Sequence, residues 1–419
     1  MLKHYPTDGF SAGIMKEASP FDGNAAAFPG GYLPGAQNDL AMRMLAEEYR
    51  DAYLDLARSG IEGLCQKLSV APAAFADEPK RAPARKASSP APAPTPARRE
   101  AARKTLSRSG GLAAEIPHAV RAYDNAVDCV RKLMAYASRG RLYAGPVDEA
   151  AAGLVESLER NPDALLGLPR LRQRDNYTYT HCVNVSALLA AFALSEGESR
   201  ETVMAYALAG LLHDLGKALL PVSLLCAKRR LSTTEQTLVT RHPQLGNDLL
   251  ASMPGVRAEV LQAALEHHER YDGSGYPRGL SGEAISRIGH LAAIADNFDA
   301  ISSRRPYKGA LFPHRTLGVM YQMRQKHFHP ELMERFVRMI GIYPVGSIVE
   351  LRDGYRGVVT ACNAENPMLP VVTLVMDRNG RPMPLHECDL ARDGVAGIAR
   401  CLSAERAGLD PALALGLPV

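Results

Sequence analysis

Residues Leu265–Leu280 read LEHHERYDGSGYPRGL. His267 and His268 close an apolar helical stretch carrying Val260, Leu261, Ala264 and Leu265, and Asp272-Gly273-Ser274-Gly275-Tyr276-Pro277 follows at once. Successive helical side chains point about 100° apart, so neighbouring histidines share one ion only where the backbone leaves the helix. Paired imidazoles, then permissive glycines, then a proline of fixed φ, suit a metal site under a loop. Taken alone, the pair reads equally well as a chance His-His ahead of a turn.

Outward from this stretch the apolar residues keep a helical period. Helices are expected near 113–138, 147–160, 177–195, 201–216 and 233–252, then up to His268, over 286–302 and over 315–340. Leu317, Met320, Met323 and Phe328 are expected in the core of the last. Ser232-Thr233-Thr234-Glu235 has the form of a capping box. No long alternating strand pattern precedes residue 343, so the expected fold class is mainly α. Ser347–Leu351, Gly357–Thr360 and Val371–Met376 alternate or run β-branched, and Asp377-Arg378-Asn379-Gly380 supplies a hairpin turn. A small β appendage is therefore expected over 343–392, followed by an Ala/Leu-rich tail over 393–419 with one weak helix.

The remaining N-terminal part divides in two. Residues 1–70 include a helical period over 39–68, through Leu40, Met44, Leu45, Tyr49, Tyr53, Leu54 and Leu56. This is either a docking or dimerisation element, through which the chain would form a homodimer, or a plain amphipathic helix; the plain helix is the simpler reading. Residues 71–112 hold seven prolines between Pro72 and Pro96, and nine Lys/Arg against three acids. Such a segment cannot bury enough apolar surface to offset its ordering entropy, so it reads as a disordered, basic Pro/Ala-rich linker. It carries +6 of a net charge of +4, leaving the rest of the chain at −2. The basic balance therefore gives no ground for a nucleic-acid-binding domain. The longest apolar run, Ala187–Leu194, falls far short of the roughly 20 residues a membrane span needs. No basic-then-apolar leader opens the chain. Seven cysteines without a CxxC pair suit reduced thiols, hence the cytoplasm.

Histidines and aspartates recur on successive expected helices. His181 lies in NYTYTHCVNVSALL, His213 and Asp214 in AGLLHDLGKALLP, His242 in LVTRHPQLG, and Asp296 in HLAAIADNFDAISS. Their apolar flanks imply burial, and an unpaired buried carboxylate or imidazole costs several kcal/mol. Any single one reads more simply as a helix cap or a satisfied core histidine. Five such sets on five helices, with His267 and His268, do not. Seven ligands exceed one tetrahedral zinc and suit two divalent ions sharing a carboxylate. Mixed imidazole and carboxylate donors favour Fe or Mn, with Zn also compatible. Paired ions of this kind suit phosphoester hydrolysis. Lys217 follows Asp214 by three residues, Asp299 follows Asp296 by three, and Arg304, Arg305 and Lys308 then leave that helix as a candidate phosphate-binding cluster.

Together, YTYTH (Tyr177–His181), LLHDLGK (Leu211–Lys217), Glu235 with His242-Pro243, HHERYDGSGYPRGL and IADNFDAISSRRPYK (Ile294–Lys308) resemble the HD-GYP family, the cyclic di-GMP phosphodiesterase branch of the HD metal-dependent phosphohydrolases. The resemblance spans about 113–342 and implies an HD-type helical bundle. It implies one ion on His181, His213, Asp214 and Asp296, and a second on His242, His267 and His268, with Asp214 bridging. It implies that Lys217 contacts the scissile phosphate, and that Asp299, Arg305 and Lys308 serve catalysis or substrate contact. Gly275 and Tyr276 would line the site within the loop, where Tyr276 would also meet a protein partner. Some members carry a Glu where this chain has Tyr177, which holds a third ion; a binuclear site is expected here. The implied activity is hydrolysis of cyclic di-GMP to pGpG, GMP or both, in bacterial second-messenger signalling. Three other readings stay open: an HD hydrolase of another nucleotide, a silent or partner-gated cyclic di-GMP receptor, and a docking role for the N-terminal helix and linker. The segment GIYPVGSIVELRDG resembles one that often follows this domain.

Overall fold

The computed structural model describes residues 111–141, 146–171, 177–225, 227, 229, 231–302, 312–363, 365–395 and 397–414. The helix expected over 39–68, nearly all of the linker over 71–112, and Arg304, Arg305 and Lys308 lie outside the described residues.

Helix α1 (Leu112–Ala137) buries Ile116, Ala119, Tyr123, Ala126, Val127, Val130, Leu133 and Met134, one stripe at three- and four-residue spacing. It is followed by α2 (Val147–Arg160), α3 (Pro162–Leu171), α4 (Tyr177–Ser195) and α5 (Arg200–Leu212). The α3 helix, with Pro169 inside it, was not expected from the sequence. From Cys182 to Ala193 every side chain of α4 is buried, so this helix is enclosed on all sides rather than amphipathic. The α5 helix lies so close to it that a Cβ on Gly210 would strike the backbone of Ser186. Ser186 also closes the pair by donating its hydroxyl to the Ala207 carbonyl at 2.7 Å.

Three expected helices are broken: the one read over 315–340 is interrupted at 323–329, and the other two breaks fall at candidate ligands. The helix read over 201–216 stops at Leu212, and a 3₁₀ turn, Leu215–Leu219, takes over. The stretch read as one helix over 233–252 is α7 (Thr233–Val239) and α8 (His242–Ala251), after the four-residue α6 (Val222–Leu225). Pro243 sits in the first turn of α8, where its missing N–H is harmless. The capping box at α7 is formed: Glu235 N donates to Ser232 Oγ at 3.3 Å, and Ser232 N to Glu235 Oε2 at 2.8 Å. α9 (Ala258–Glu266) ends at His267, and α10 (Arg287–Ser302) is buried along almost its whole length. α11 (Pro313–Gln322) and α12 (Pro330–Ile340) complete the bundle.

The C-terminal part is an antiparallel sheet of order β4-β3-β2-β1-β5, with β1 Ile348–Leu351, β2 Arg356–Ala361, β3 Val371–Met376, β4 Pro382–Asp389 and β5 Ile398–Leu402. The expected hairpin turn is present: Asp377 Oδ1 accepts from Asn379 N and Arg381 N, and Gly380 takes φ +74°. The appendage runs beyond residue 392, because β5 pairs with β1. The tail then holds two short helices, α13 (Ala404–Ala407) and α14 (Pro411–Ala414), rather than one. β4 escaped the sequence reading because it is an edge strand with Pro382 and Pro384 in it and mostly exposed side chains. No described helix is long and apolar enough to cross a membrane, and no disulfide links the described cysteines Cys129, Cys182, Cys362, Cys388 and Cys401.

Candidate metal centre

The helix breaks bring the expected ligands together. His181 comes from α4, His213 and Asp214 from the turn after α5, His242 from the first residue of α8, His267 and His268 from the end of α9, and Asp296 from α10. All seven are at most 8% exposed. Their donor atoms form three overlapping groups, each within 4.8 Å: His181, His213 and Asp296; His213, Asp214 and His267; His242, His267 and His268. Asp214 is the middle of the set. Its Oδ1 stands 3.4 Å from His242 Nε2 and 3.5 Å from His267 Nε2, and its Oδ2 stands 3.5 Å from His213 Nε2 and 3.9 Å from His181 Nε2.

Three of the rings are held from behind by backbone carbonyls. His213 Nδ1 meets the Gly210 carbonyl at 2.8 Å, His242 Nδ1 the Val239 carbonyl at 2.8 Å, and His267 Nδ1 the carbonyls of Ala263 and Ala264 at 3.0 Å. A carbonyl only accepts, so Nδ1 carries the proton and the Nε2 lone pair faces the centre. His242 Nε2 and His267 Nε2 are 3.2 Å apart. Two lone pairs at that separation repel unless a cation lies between the rings. His213 Nε2, Asp214 Oδ1 and His268 Nε2 are buried with no hydrogen-bond partner, each at a cost of about 1–3 kcal/mol. Cations among these atoms would satisfy them at once, so the residues present fit divalent metal.

Burial dominates the protonation of the imidazoles. It pushes His213 down to about 3 and His242 to about 4, and holds His268 well below its ordinary value. His181 goes the other way: burial opposes its charge, but hydrogen bonds to Asp296 and Asp299 outweigh burial and raise it to about 9. Burial also opposes ionisation of Asp214, yet Lys217, His213 and the neighbouring imidazoles of His242 and His267 keep its carboxyl well below the usual range. The Lys217 ammonium, 5% exposed, rests on Asp214 Oδ2.

The other expected residues fall in different places. Asp299, expected among the catalytic groups, stands behind His181: its Oδ2 is 2.7 Å from His181 Nδ1, while Asp296 Oδ1 lies 2.9 Å from His181 Nε2. Tyr276 stacks on His268, with centroids 4.7 Å apart and planes 28° from parallel, and donates its N–H to the His268 carbonyl at 3.2 Å. Gly275 faces the foot of its own loop, where a Cβ would strike the backbone of Glu269 and Arg270.

Sequence reasoning missed the groups that fasten this loop. Glu269 accepts from Arg278 N at 2.7 Å and Leu280 N at 3.0 Å; Glu266 accepts from Arg278 Nη2 at 2.5 Å and Ser286 N at 2.8 Å. Two acids flanking the histidine pair at an apolar helix end were the available signal. It also missed Asn184 and Tyr123, for which the local sequence offers none.

Residues 156–332 match the HD domain, and residues 348–408 match a KOW domain associated with the HD domain. The chain is 40% identical over 249 residues to a cyclic di-GMP phosphodiesterase of Pseudomonas aeruginosa, covering 59% of each chain. It is 38% identical over 189 residues to a cyclic di-GMP phosphodiesterase response regulator of Xanthomonas campestris pv. campestris, covering 45% of this chain and 50% of the relative. It is also 35% identical over 147 residues to a 3'3'-cGAMP-specific phosphodiesterase of Vibrio cholerae, covering 35% and 34%. The chain thus spans between one third and three fifths of the length of these relatives. Residues 156–332, with their helical bundle, buried histidine–aspartate set and DGSGYP loop, thus match the HD domain and are similar to the corresponding regions of cyclic dinucleotide phosphodiesterases.

Proposed function

We propose that this protein hydrolyses the 3′,5′-phosphodiester of cyclic di-GMP to pGpG, GMP or both. The observation that carries the reading is the ring of inward-facing nitrogens around Asp214, with orphaned atoms on His213, Asp214 and His268. His181, His213 and Asp296 would hold one divalent ion, and His242, His267 and His268 a second, with Asp214 between them; the donor set favours iron or manganese. Two such ions, when bound, supply Lewis acidity toward water and toward the phosphoryl oxygens. The protein supplies the rest. Backbone-anchored imidazoles fix the donor directions, Lys217 places a buried positive charge at the edge of the cluster for a phosphoryl oxygen, and the Tyr276 stack closes one side against solvent. Arg305 and Lys308, outside the described residues, complete the proposed substrate contacts. The absence of disulfides among the described cysteines supports a cytoplasmic site of action. The Tyr276 loop and the N-terminal helix remain the proposed places for a protein partner or a second copy.

Likeness to a 3'3'-cGAMP-specific relative favours testing that dinucleotide as a second substrate. The experiment pairs a metal count on anaerobically purified full chain with hydrolysis of both dinucleotides, beside Asp214→Ala. The expected result is about two ions per chain and turnover of cyclic di-GMP. In the variant, loss of metal and at least a ~1000-fold drop in rate, about 4 kcal/mol of barrier, are expected. Two ions without turnover would move the assignment to a receptor; no ions would remove the centre itself.

A further inference from the structure

His181 is the one ring of the centre whose hydrogen-bonded back nitrogen meets a side chain rather than a carbonyl. Its Nδ1 meets Asp299 Oδ2 at 2.7 Å. The other oxygen of that carboxylate, Oδ1, accepts from Asn184 Nδ2 at 2.8 Å. Asn184 Oδ1 in turn accepts from the Tyr123 hydroxyl at 2.7 Å. The chemistry fixes every direction in this chain. A carboxylate only accepts, so the Asn184 amide must present its NH₂ to Asp299 and its oxygen to Tyr123, and the phenol must donate. The Nδ1 proton of His181 is then held on Asp299, which turns Nε2, 2.9 Å from Asp296 Oδ1, toward the centre, where its lone pair would serve an ion once its own proton is given up.

Three helices contribute. His181 and Asn184 are three apart on α4, and Asp296 and Asp299 are three apart on α10, so each helix offers a ligand and its supporter on one face. Tyr123 comes from α1, outside the residues that match the HD domain. All four side chains are buried.

Resting on the binuclear reading above, we infer that Tyr123, Asn184 and Asp299 form a positioning relay that sets the tautomer and direction of His181. It would tune one ion, that of His181, His213 and Asp296, and leave the ion of His242, His267 and His268 alone. Asp299 is thereby a positioning residue and not a catalytic one. Supporting partners of ligating histidines typically govern metal affinity by about 10–100-fold.

The test loads Mn²⁺ into the metal-stripped full chain and reads ions per chain after desalting, affinity against a competing chelator, electron paramagnetic resonance and melting temperature. Asn184→Ala should lower the affinity of one ion by about 10–100-fold. Retained metal should fall from about two to about one, and the signal of a coupled Mn²⁺ pair should give way to a single-ion signal. Tyr123→Phe removes one hydroxyl from an otherwise intact fold and should weaken the same ion about two- to five-fold. Two ions at unchanged affinity in both variants would overturn the relay. Loss of both ions in step with melting temperature would also overturn it, since that marks a merely structural role. A wild-type chain that binds no Mn²⁺ would instead remove the centre, and the relay with it.

Discussion

The centre has two sides, and they are built differently. His213, His242 and His267 lean on carbonyls three or four residues behind them, within their own helix or turn. Their direction is settled as soon as the local backbone is. His181 leans on Asp299, 118 residues away, through a bond that exists only once α4 and α10 have packed. Locally anchored ligands should resist any substitution that leaves their backbone in place. A ligand anchored through tertiary contacts should respond to single polar edits at a distance.

The strongest way to break this contrast is to move the backbone on the locally anchored side. Gly216 lies in the 3₁₀ turn after Asp214, and a Cβ there would strike the His242 carbonyl and the Gly246 nitrogen. Gly216→Ala must push the start of α8 away from the turn. Overpacking of this kind costs about 2–3 kcal/mol, and it displaces His242 relative to Asp214. The expected outcome is a clear fall in melting temperature and loss of the ion shared by His242, His267 and His268. Wild-type stability and a full metal count would show that the turn does not set the position of α8.

The same division decides what could be read in advance. The candidate ligands that the fold gathers were legible because each His or Asp interrupts an apolar helical run, and five such interruptions are too many to be unrelated caps. The helix breaks at His213 and before His242 were not. Apolar periodicity runs on through Leu215, Leu238 and Leu245, and it carries no record of a change of axis. The relay was invisible for a related reason. Tyr123 and Asn184 are 61 residues apart, and Asn184 and Asp299 are 115 apart, so no local pattern joins them. The sheet was legible where its strands are buried, in β1 to β3. It was not legible in β4, whose exposed edge has no alternation, or in β5, whose alternation was lost in an Ala-rich tail.

A buried histidine outside the cluster sharpens the contrast further. His290 on α10 meets the Gly282 carbonyl through Nε2 at 3.1 Å, a backbone anchor with no ion in prospect. Tyr271 and His329 pack against it, and the charges of Glu283 and Glu266 act on it in the opposite sense to burial. Burial first, and then His329, lower it to about 4. The sign follows from proton counts. Between its unfolded value of about 6.5 and about 4, the unfolded chain binds the extra proton, so stability falls as pH falls through that window. The contribution of His290 is expected to be about 1 kcal/mol between pH 7 and pH 5.5. Melting the metal-free wild type and His290→Gln across this range measures it: the variant should show the shallower decline. Equal slopes would mean that His290 takes up its proton as readily folded as unfolded.

The smallest expected effect concerns His268, which belongs to neither side cleanly. Its Nε2 has no hydrogen-bond partner, and its ring is covered by Tyr276, whose loop is tied back by Glu269. Both Glu269 oxygens accept a loop N–H, one from Arg278 and one from Leu280, and burial raises its carboxyl above the ordinary value. Glu269→Gln keeps one acceptor and turns the other into a donor facing a donor. The loss of a single bond is worth about 1 kcal/mol, or roughly five-fold in the population of the closed loop. The Mn²⁺ affinity of the His242, His267 and His268 ion should fall about two- to five-fold, while the His181 side keeps its affinity. That is the mirror image of Asn184→Ala. Should Glu269→Gln weaken both ions equally, the two sides are coupled through Asp214 more tightly than their separate anchors suggest. The distinction between local and tertiary anchoring would then describe how the centre is assembled during folding, not how each ion is held afterwards.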